Sequence, residues 1–445
     1  MFELAMRSLC RHLGGMVLVA FVIYPAIVVA RNAPGELIYH QACEQIPYAW
    51  FSYVPFSSAK TEINYILITG QNGNIVSDNY GRLIEECRNQ AEWRSREWAE
   101  RFNYILLTPV IPRSATKWQN YTVSLDRESL LDPEGFNSRP DLKLSLMIKD
   151  LIDSLEEDGY KVSHRVFIEG FSAGAMFAQR FCIIHPDMVQ ATACGQCGGS
   201  ITLAAETYDN EEMVWPVGIA DFEYLIGHPF DRALYLSVPQ FIYIGDRDTN
   251  NSTVTPYNYD LFTDGQREFL NSEFGETDPV RLKNQCEYMK HLGANIHFKC
   301  YPGVGHEMTG DMVEDIFRFF DSFRIELNLD ANGEEGILEA SHLTPLVVRI
   351  SLFPVNRAVL NCDWWIVANT PFDFPFDWYS FIDSLGWQTG IHPFRQGKLI
   401  PTGPIEVLGC SLPVGKYTFY FGVDDSMDGV PDGTMYYRSL EVNVY

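Results

Sequence analysis

The chain has few basic residues. Lys and Arg number 33 against 58 Asp and Glu, which leaves a formal net charge of −25 over 445 residues. It contains no run of basic residues and no cysteine–histidine spacing typical of a zinc site. Because an acidic chain repels phosphate backbones and anionic lipid headgroups, we expect no nucleic-acid partner.

Long apolar runs are also scarce. Only residues 13–30 approach the ~20 apolar residues that span a bilayer, and no later run does. Basic residues precede this stretch, and Val28-Val29-Ala30 offers small side chains for cleavage. Residues 1–33 are therefore predicted to be a signal peptide, with an uncleaved anchor as the alternative. We expect a secreted or periplasmic protein, with membrane contact only through this segment if it stays uncleaved.

The composition excludes a disordered, collagen-like or coiled-coil chain. Apolar residues make up 46% and charged residues 20%, as in globular proteins with a sizeable core. The length suffices for two or three domains, and we find no internal repeat.

Cysteines follow the leader in an odd number. In an exported protein some of these nine should pair, and at least one must stay free or pair with another molecule. Cys362 with Cys410 is the favoured pair because both lie in one C-terminal segment. Cys286 with Cys300 is next, since the two flank a predicted helix-to-strand step.

One further cysteine pair has redox-like spacing. The motif is Cys194-Gly195-Gln196-Cys197. It lacks the aromatic and proline context of redox proteins, and the surrounding chain predicts another fold. We therefore assign it no redox role.

Residues 37–327 alternate short apolar runs with amphipathic stretches, the pattern of an α/β domain. Strands are predicted at 50–55, 65–69, 104–108, 166–169, 191–195, 241–245 and 296–301. Helices are predicted at 79–102, 142–155, 176–184, 280–292 and 313–327. Residues 200–239 are aromatic and acidic without a clean period, and are predicted to form a lid-like insertion or a wall over a pocket.

The C-terminal quarter differs in character. Residues 328–341 are polar and predict a linker. Residues 342–445 combine aromatics, Pro and Gly turns and short alternating runs, which predicts a small all-β sandwich. Its aromatic cluster could bind a polymer or sugar if exposed, but we expect it to form the core of the sandwich. The cluster comprises Trp364, Trp365, Phe372, Phe374, Phe376, Trp378, Tyr379 and Trp387.

A calcium loop is a weak hypothesis for the same segment. Asp424, Ser426, Asp428 and Asp432 stand at ligand positions of such a loop. Met435, however, stands where a bidentate Glu is expected. No other metal or cofactor is indicated by the sequence.

The strongest chemical signal is the G-x-S-x-G motif around Ser172. An apolar strand pattern, 166–169, precedes the motif and a helical pattern, 175–180, follows it. A sharp strand-to-helix turn would expose the Ser172 hydroxyl at the carboxyl edge of a sheet, above a helix N-terminus. The context makes Ser172 a candidate nucleophile.

A serine nucleophile needs a base, and the base needs an orienting carboxylate. Hydrolases built on a strand–turn–helix nucleophile supply these in the chain order Ser, Asp, His. Gly245-Asp246-Arg247-Asp248 follows one predicted strand and Gly303-Val304-Gly305-His306 follows the next. We predict His306 as the base and prefer Asp248 to Asp246 as the acid, because of its G-x-x-D spacing.

The oxyanion of an acyl-transfer reaction needs preorganised N–H donors. One candidate is the backbone N–H of Ala173, next to the nucleophile. The other is the N–H of Gln71, in the glycine-rich loop that follows the strand at 65–69. A plain turn is the alternative for that loop.

These motifs resemble those of a known family. Residues 60–325 resemble an α/β-hydrolase, and are most similar to secreted bacterial polyhydroxybutyrate depolymerases and feruloyl-esterase-like carboxylesterases. The resemblance implies hydrolysis of a small-molecule or polymeric ester through an acyl-enzyme on Ser172. In this chain Thr69 stands where the family's oxyanion loop carries His. The β-rich tail resembles modules of exported bacterial proteins.

Two alternatives stay open. A serine peptidase would use the same fold and mechanism on an amide. A non-catalytic surface protein would instead use the aromatic C-terminal domain for binding, and the intact order of Ser172, Asp248 and His306 argues against it.

Overall fold

A computed structural model describes most of the chain after the leader. The described residues are 32–60, 63–70, 75–117, 121–132, 135–250, 261–354, 361–372, 377–424, 426–431 and 436–445. Several predictions lie outside them: the leader apart from Asn32 and Ala33, the oxyanion candidate Gln71, and Phe374, Phe376 and Asp432 of the tail.

A mixed eight-stranded sheet organises residues 37–301. Its order is β1-β2-β5-β4-β7-β8-β11-β12, in which β1–β2 and β2–β5 pair antiparallel and the remaining neighbours pair parallel. Two short pairs, β3–β6 and β9–β10, lie outside it. The strands are β1 (Leu37–His40), β2 (Trp50–Tyr53), β3 (Ile63–Asn64), β4 (Ile66–Ile68), β5 (Ile105–Pro109), β6 (Lys161–Val162), β7 (Val166–Phe171), β8 (Val189–Gly195), β9 (Thr207–Tyr208), β10 (Glu211–Glu212), β11 (Gln240–Gly245) and β12 (Ile296–Tyr301).

Helices cover both faces of this sheet. They are α1 (Tyr80–Gln90), α2 (Arg96–Phe102), α3 (Arg127–Leu131), α4 (Pro140–Glu157), α5 (Ala173–Ile184), α6 (Phe222–Ile226), α7 (Arg232–Ser237), α8 (Asp264–Phe274), α9 (Asp278–His291) and α10 (Gly310–Asp321). A π-helical turn at Ala91–Ser95 joins α1 to α2. Alternate strand side chains enter opposite cores: Ile66 and Ile68 join the cluster with α4 and α5, whereas Leu67 joins the cluster with α10.

The predicted α/β arrangement is confirmed, with all seven predicted strands present. The helix predicted at 313–327 is too long, because α10 ends at Asp321 and a strand begins at Ile325. Residues 200–239 form α6, α7 and the β9–β10 pair. Many of their apolar side chains, including that of Trp215, belong to the main core, whereas Tyr224 is exposed, so most of this segment packs as part of the core.

Ten strands lie in the described part of the C-terminal region. A three-stranded sheet has the order β13-β15-β20, and a seven-stranded sheet has the order β14-β22-β21-β16-β17-β18, with β19 paired to β16. They are β13 (Ile325–Ala331), β14 (Ile337–Ala340), β15 (Leu346–Pro354), β16 (Asn361–Asn369), β17 (Trp378–Ile382), β18 (Gly386–Thr389), β19 (Arg395–Lys398), β20 (Thr402–Cys410), β21 (Gly415–Val423) and β22 (Tyr436–Val444).

The predicted linker at 328–341 is wrong. It contains the second half of β13 and all of β14, each paired within a sheet. One hydrophobic cluster includes Phe167 of β7, Phe320 of α10 and Phe421 of β21. The two regions therefore share a core, and residues 32–445 form one compact unit.

Neither predicted disulfide is present in the structure. All nine cysteines within the described residues are free thiols, including Cys362 and Cys410, and Cys286 and Cys300. Cys286 and Cys362 are buried whereas Cys300 and Cys410 are exposed, so each predicted pair joins a core position to a surface position. Among the described helices, none is long and apolar enough to cross a bilayer.

Candidate active site

Ser172 lies in a strained turn between β7 and α5. Its backbone has φ 58° and ψ −124°, a conformation that L-residues rarely adopt. The Ser172 N–H donates to the Gly195 carbonyl at 2.8 Å, which ties the turn to β8. A Cβ on Gly170 would lie 2.1 Å from the Gly174 carbonyl oxygen, so only glycine permits this close turn.

The structure brings the three candidate triad residues together. His306 Nε2 lies 3.1 Å from Ser172 Oγ, and His306 Nδ1 lies 2.9 Å from Asp248 Oδ2 and 3.2 Å from Oδ1. These are the contacts by which a carboxylate orients an imidazole toward a hydroxyl. Asp248 is 7% exposed, whereas the His306 side chain is 30% exposed, so the base is open to an incoming substrate.

The two acids of the post-β11 loop have different partners. Asp248 faces His306, while Asp246 Oδ1 accepts the Gly303 N–H at 2.6 Å. The Asp246 N–H in turn donates to the Tyr301 carbonyl at 3.0 Å. Asp246 therefore braces the turn that leads to His306, and Asp248 is the acid that contacts the base.

The structure describes one of the two predicted oxyanion donors. Ala173 is the first residue of α5, so its N–H belongs to the first-turn donors that have no partner within a helix. Gln71 lies outside the described residues. Thr69, directly after β4, is buried, and its hydroxyl donates to Glu169 Oε2 at 2.8 Å. Burial raises the pKa of Glu169, which Arg94 and the Thr69 hydroxyl oppose.

No protein-family model and no curated protein matches the chain. Several solved structures superpose on part of the chain. Poly(aspartic acid) hydrolase-1 from Sphingomonas sp. KT-1 has 16% identity and a TM-score of 0.43, over 65% of this chain and 98% of that one. An esterase from Thermogutta terrifontis has 12% identity and a TM-score of 0.34, over 65% of this chain and 92% of that one. A ferulic acid esterase has 15% identity and a TM-score of 0.34, over 65% of this chain and 99% of that one.

The fold of this chain follows from its own topology. The sheet order and the strand–turn–helix at Ser172 decide it. The fold is that of an α/β-hydrolase. Within it, the nucleophile turn, the acid loop and the histidine loop all follow parallel strands and meet at their carboxyl edge.

Sequence reasoning missed one residue at the base. Asn250 Nδ2 lies 2.9 Å from His306 Nε2, the same nitrogen that faces Ser172. The Asn250 N–H donates to Asp248 Oδ1 at 2.9 Å, which fixes its position. The Asp-x-Asn spacing of 248–250 is the local signal that could have indicated this turn.

A second buried carboxylate lies within electrostatic range of the triad. Asp278 is 2% exposed and pairs with Arg281 at 3.0 Å. Burial raises the pKa of Asp278 to about 6, against the opposing effect of Arg281, with Asp248 raising it further. Arg281 also donates to the Gly199 carbonyl at 2.8 Å, so this ion pair braces the loop after β8.

The C-x-x-C motif supplies no reactive thiol. Cys194 and Cys197 are both buried in the core. Burial raises the pKa of Cys194 to about 12 and also raises that of Cys197. A redox pair needs a thiol pKa that is lowered.

Asp424, Ser426 and Asp428, the calcium candidates that lie within the described residues, do not form a ligand cluster. Asp424 accepts the Trp365 indole N–H at 2.7 Å and the Asp363 N–H at 3.1 Å, which gives it a structural role. The Asp428 carboxylate accepts the Val430 N–H at 2.9 Å. Across the part of the chain that the structure describes, no group of three or more acidic, His or Cys side chains could hold a metal ion.

The tail aromatics divide between the two faces of the seven-stranded sheet. Trp364 and Phe421 lie in the shared core. On the opposite face, Trp378, Tyr420 and Tyr437 line a groove of about 220 Å³ whose floor includes Trp365. The predicted core role therefore holds for one face only.

Proposed function

We propose that this chain is an exported serine hydrolase that cleaves carboxylic esters through a covalent acyl-enzyme on Ser172. The observation that carries the proposal is the contact series from Ser172 Oγ through His306 to Asp248, at 3.1 and 2.9 Å. The strained turn that presents Ser172 supports it, since such strain persists where function requires it.

The proposed reaction has two halves. Ser172 Oγ attacks the ester carbonyl carbon as His306 Nε2 takes its proton, and Asp248 stabilises the resulting imidazolium. The N–H of Ala173, with that of Gln71 as the second predicted donor, binds the oxyanion. His306 then protonates the leaving alkoxide, which departs as an alcohol. Water repeats the sequence on the acyl-enzyme and releases the acid.

The substrate is proposed to carry an apolar acyl or aryl group, on a small molecule or a polyester. The Phe171 ring lies 5.1 Å from the His306 ring, so an aromatic surface borders the base. Phe222 of the 200–239 segment is buried in the core and offers no such surface.

Turnover of p-nitrophenyl esters of increasing acyl length tests the proposal, with peptidyl p-nitroanilides beside them. Wild type should hydrolyse the esters, and Ser172→Ala should lose all turnover while keeping its thermal unfolding transition. Turnover of the anilides but not of the esters would establish the peptidase instead. Ester turnover that survives in Ser172→Ala would place the chemistry elsewhere.

A non-catalytic binding protein is the rival class, and a groove variant tests it better than a truncation does. Truncation after Asn328 would cut β13 and open the shared core, so loss of function in such a fragment would be uninformative. Trp378→Ala removes a groove wall while leaving the core residues intact. If the chain acts as an esterase through Ser172, Trp378→Ala should leave ester turnover unchanged.

Export is tested separately. The full chain is expressed in a bacterium, and the N-terminus of the product outside the cytoplasm is sequenced. The proposal expects a new N-terminus close to residue 31, and full-length product retained in the cytoplasm would contradict it.

A further inference from the structure

We infer that Gln196 is a positioning residue for His306. This inference rests on the proposed function. Gln196 lies inside the C-x-x-C motif, one residue beyond β8, and its role explains that loop without any redox chemistry at the flanking thiols.

The side chain of Gln196 spans the residues on both sides of the base. Its Nε2 donates to the Gly305 carbonyl at 2.7 Å and makes a longer contact, 3.4 Å, with the Glu307 carbonyl. Gly305 and Glu307 are the immediate neighbours of His306. One fully buried amide therefore holds the peptide groups on either side of the imidazole-bearing residue.

The backbone of Gln196 is fixed in an unfavourable conformation. Its φ is 51°, in the left-handed region that disfavours residues with a side chain. The Gln196 N–H donates to the Tyr243 carbonyl of β11 at 2.8 Å, which locks the loop to the strand that precedes Asp248. Glycine would relieve this strain, but it has no side-chain amide that could reach the His306 loop.

The amide also carries an unpaired atom. Gln196 Oε1 is buried and has no hydrogen-bond partner in the described structure. A strained backbone and an unpaired buried oxygen at one residue are both unfavourable for folding. Retaining both is understandable if the Nε2 contacts serve the reaction.

The consequence for the chemistry is geometric. His306 contacts Ser172 and Asp248 at hydrogen-bond distance from its two nitrogens, so a small displacement of its loop weakens both contacts. Misplacement by about 1 Å costs on the order of 10²-fold in rate. Gln196 acts through His306 and does not itself contact the reacting atoms.

The chain offers a matched control on the same strand. Gln190 of β8 is also buried, and its Nε2 donates to the Phe323 carbonyl at 2.7 Å. Its Oε1 likewise has no partner in the described structure. Gln190→Met and Gln196→Met thus remove the same kind of hydrogen bond, but only the second removes it from the His306 loop.

The test combines hydrogen–deuterium exchange with steady-state kinetics on the purified full chain. We expect Gln196→Met to speed amide exchange in residues 302–309 and to lower kcat about 10- to 100-fold, with KM within about threefold. Gln190→Met should change neither, although its thermal stability falls to a similar extent. Gln196→Gly fits the left-handed backbone and should also lower kcat. It replaces the Met variant in the test if that variant does not fold.

Two results would overturn the inference. One is unchanged exchange in residues 302–309 in a folded Gln196 variant, and the other is faster exchange with an unchanged kcat. If wild type turns over no ester at all, the proposed function fails. In that case the exchange measurement alone decides whether Gln196 holds the His306 loop.

Discussion

Gly245 and Val304 approach so closely that a Cβ on Gly245 would lie 2.2 Å from the Val304 carbonyl oxygen. The same carbonyl accepts the Arg247 N–H at 2.9 Å. This backbone contact presses the loop after β11 against the loop after β12. Asp248 and His306 project from those two loops, so the approach of two backbones sets the distance between acid and base.

A methyl group at Gly245 should therefore impair catalysis. Because the obstructing atoms are backbone, Gly245→Ala must displace the His306 loop, and we expect kcat to fall about 10²-fold. Gly310→Ala is the control, since a Cβ there meets no atom within 4 Å. Ester turnover by both variants checks this, and equal activity in both would refute the coupling of the two loops.

Asp248 and Asp246 should respond differently to the same change. Asp248→Asn removes the carboxylate that orients His306, and we expect kcat to fall about 10⁴-fold. Asp246→Asn keeps an oxygen that can accept the Gly303 N–H, so a loss below about tenfold is expected. The kcat values of the two variants show which aspartate is the acid that orients His306. A larger loss in Asp246→Asn would reassign the acid.

The Thr69 hydroxyl should matter for the position of Gln71, the predicted second oxyanion donor. Thr69→Val keeps the shape but removes the bond to Glu169 beside the nucleophile turn. We expect about a tenfold loss of kcat, since a displaced oxyanion donor stabilises the transition state less. Thr69→Ser retains the hydroxyl and should stay near wild type. If Thr69→Val were as active as Thr69→Ser, the bond would have no role in catalysis.

Burial of Asp126 should make stability depend on pH. Its carboxylate accepts the Tyr121 N–H at 2.6 Å and the Ser129 N–H at 3.0 Å, yet burial raises its pKa to about 6. A raised pKa means that the folded state binds the proton more tightly. This contribution to stability is therefore present below about pH 4 and lost as pH rises through 6.

The comparison is between wild type and Asp126→Asn, whose amide does not titrate. The unfolding free energy of wild type relative to the variant should fall by roughly 1–3 kcal/mol between about pH 4 and pH 8. Urea unfolding at intervals across this range measures it. A relative gain for wild type as pH rises would show that the folded state favours the charged carboxylate.

The α/β-hydrolase fold was predictable because its signals are local. Each buried strand is a short apolar run, and the residues that meet at the site, such as Ser172 and His306, directly follow such runs. Parallel strands bring their carboxyl ends to one edge whatever the intervening sequence. Spacing alone was therefore enough to group Ser172, Asp248 and His306.

What the sequence did not reveal depends on contacts between distant segments. Gln196 donates to residues 109 and 111 positions away, and nothing local to its motif indicates those contacts. The region at 328–341 is polar enough to predict a linker, yet its strands complete sheets formed with later residues. The same sharing of a core explains why α10 ends early and β13 follows at once.

If Ser172 is an activated nucleophile, an electrophilic probe should modify it covalently. The purified full chain is treated with a fluorophosphonate probe, digested, and the modified residue located by mass spectrometry, with Ser172→Ala beside it. We expect one adduct, on Ser172, and no labelling of the variant. A folded wild type that stays unlabelled, or that carries the adduct on another residue, would contradict it.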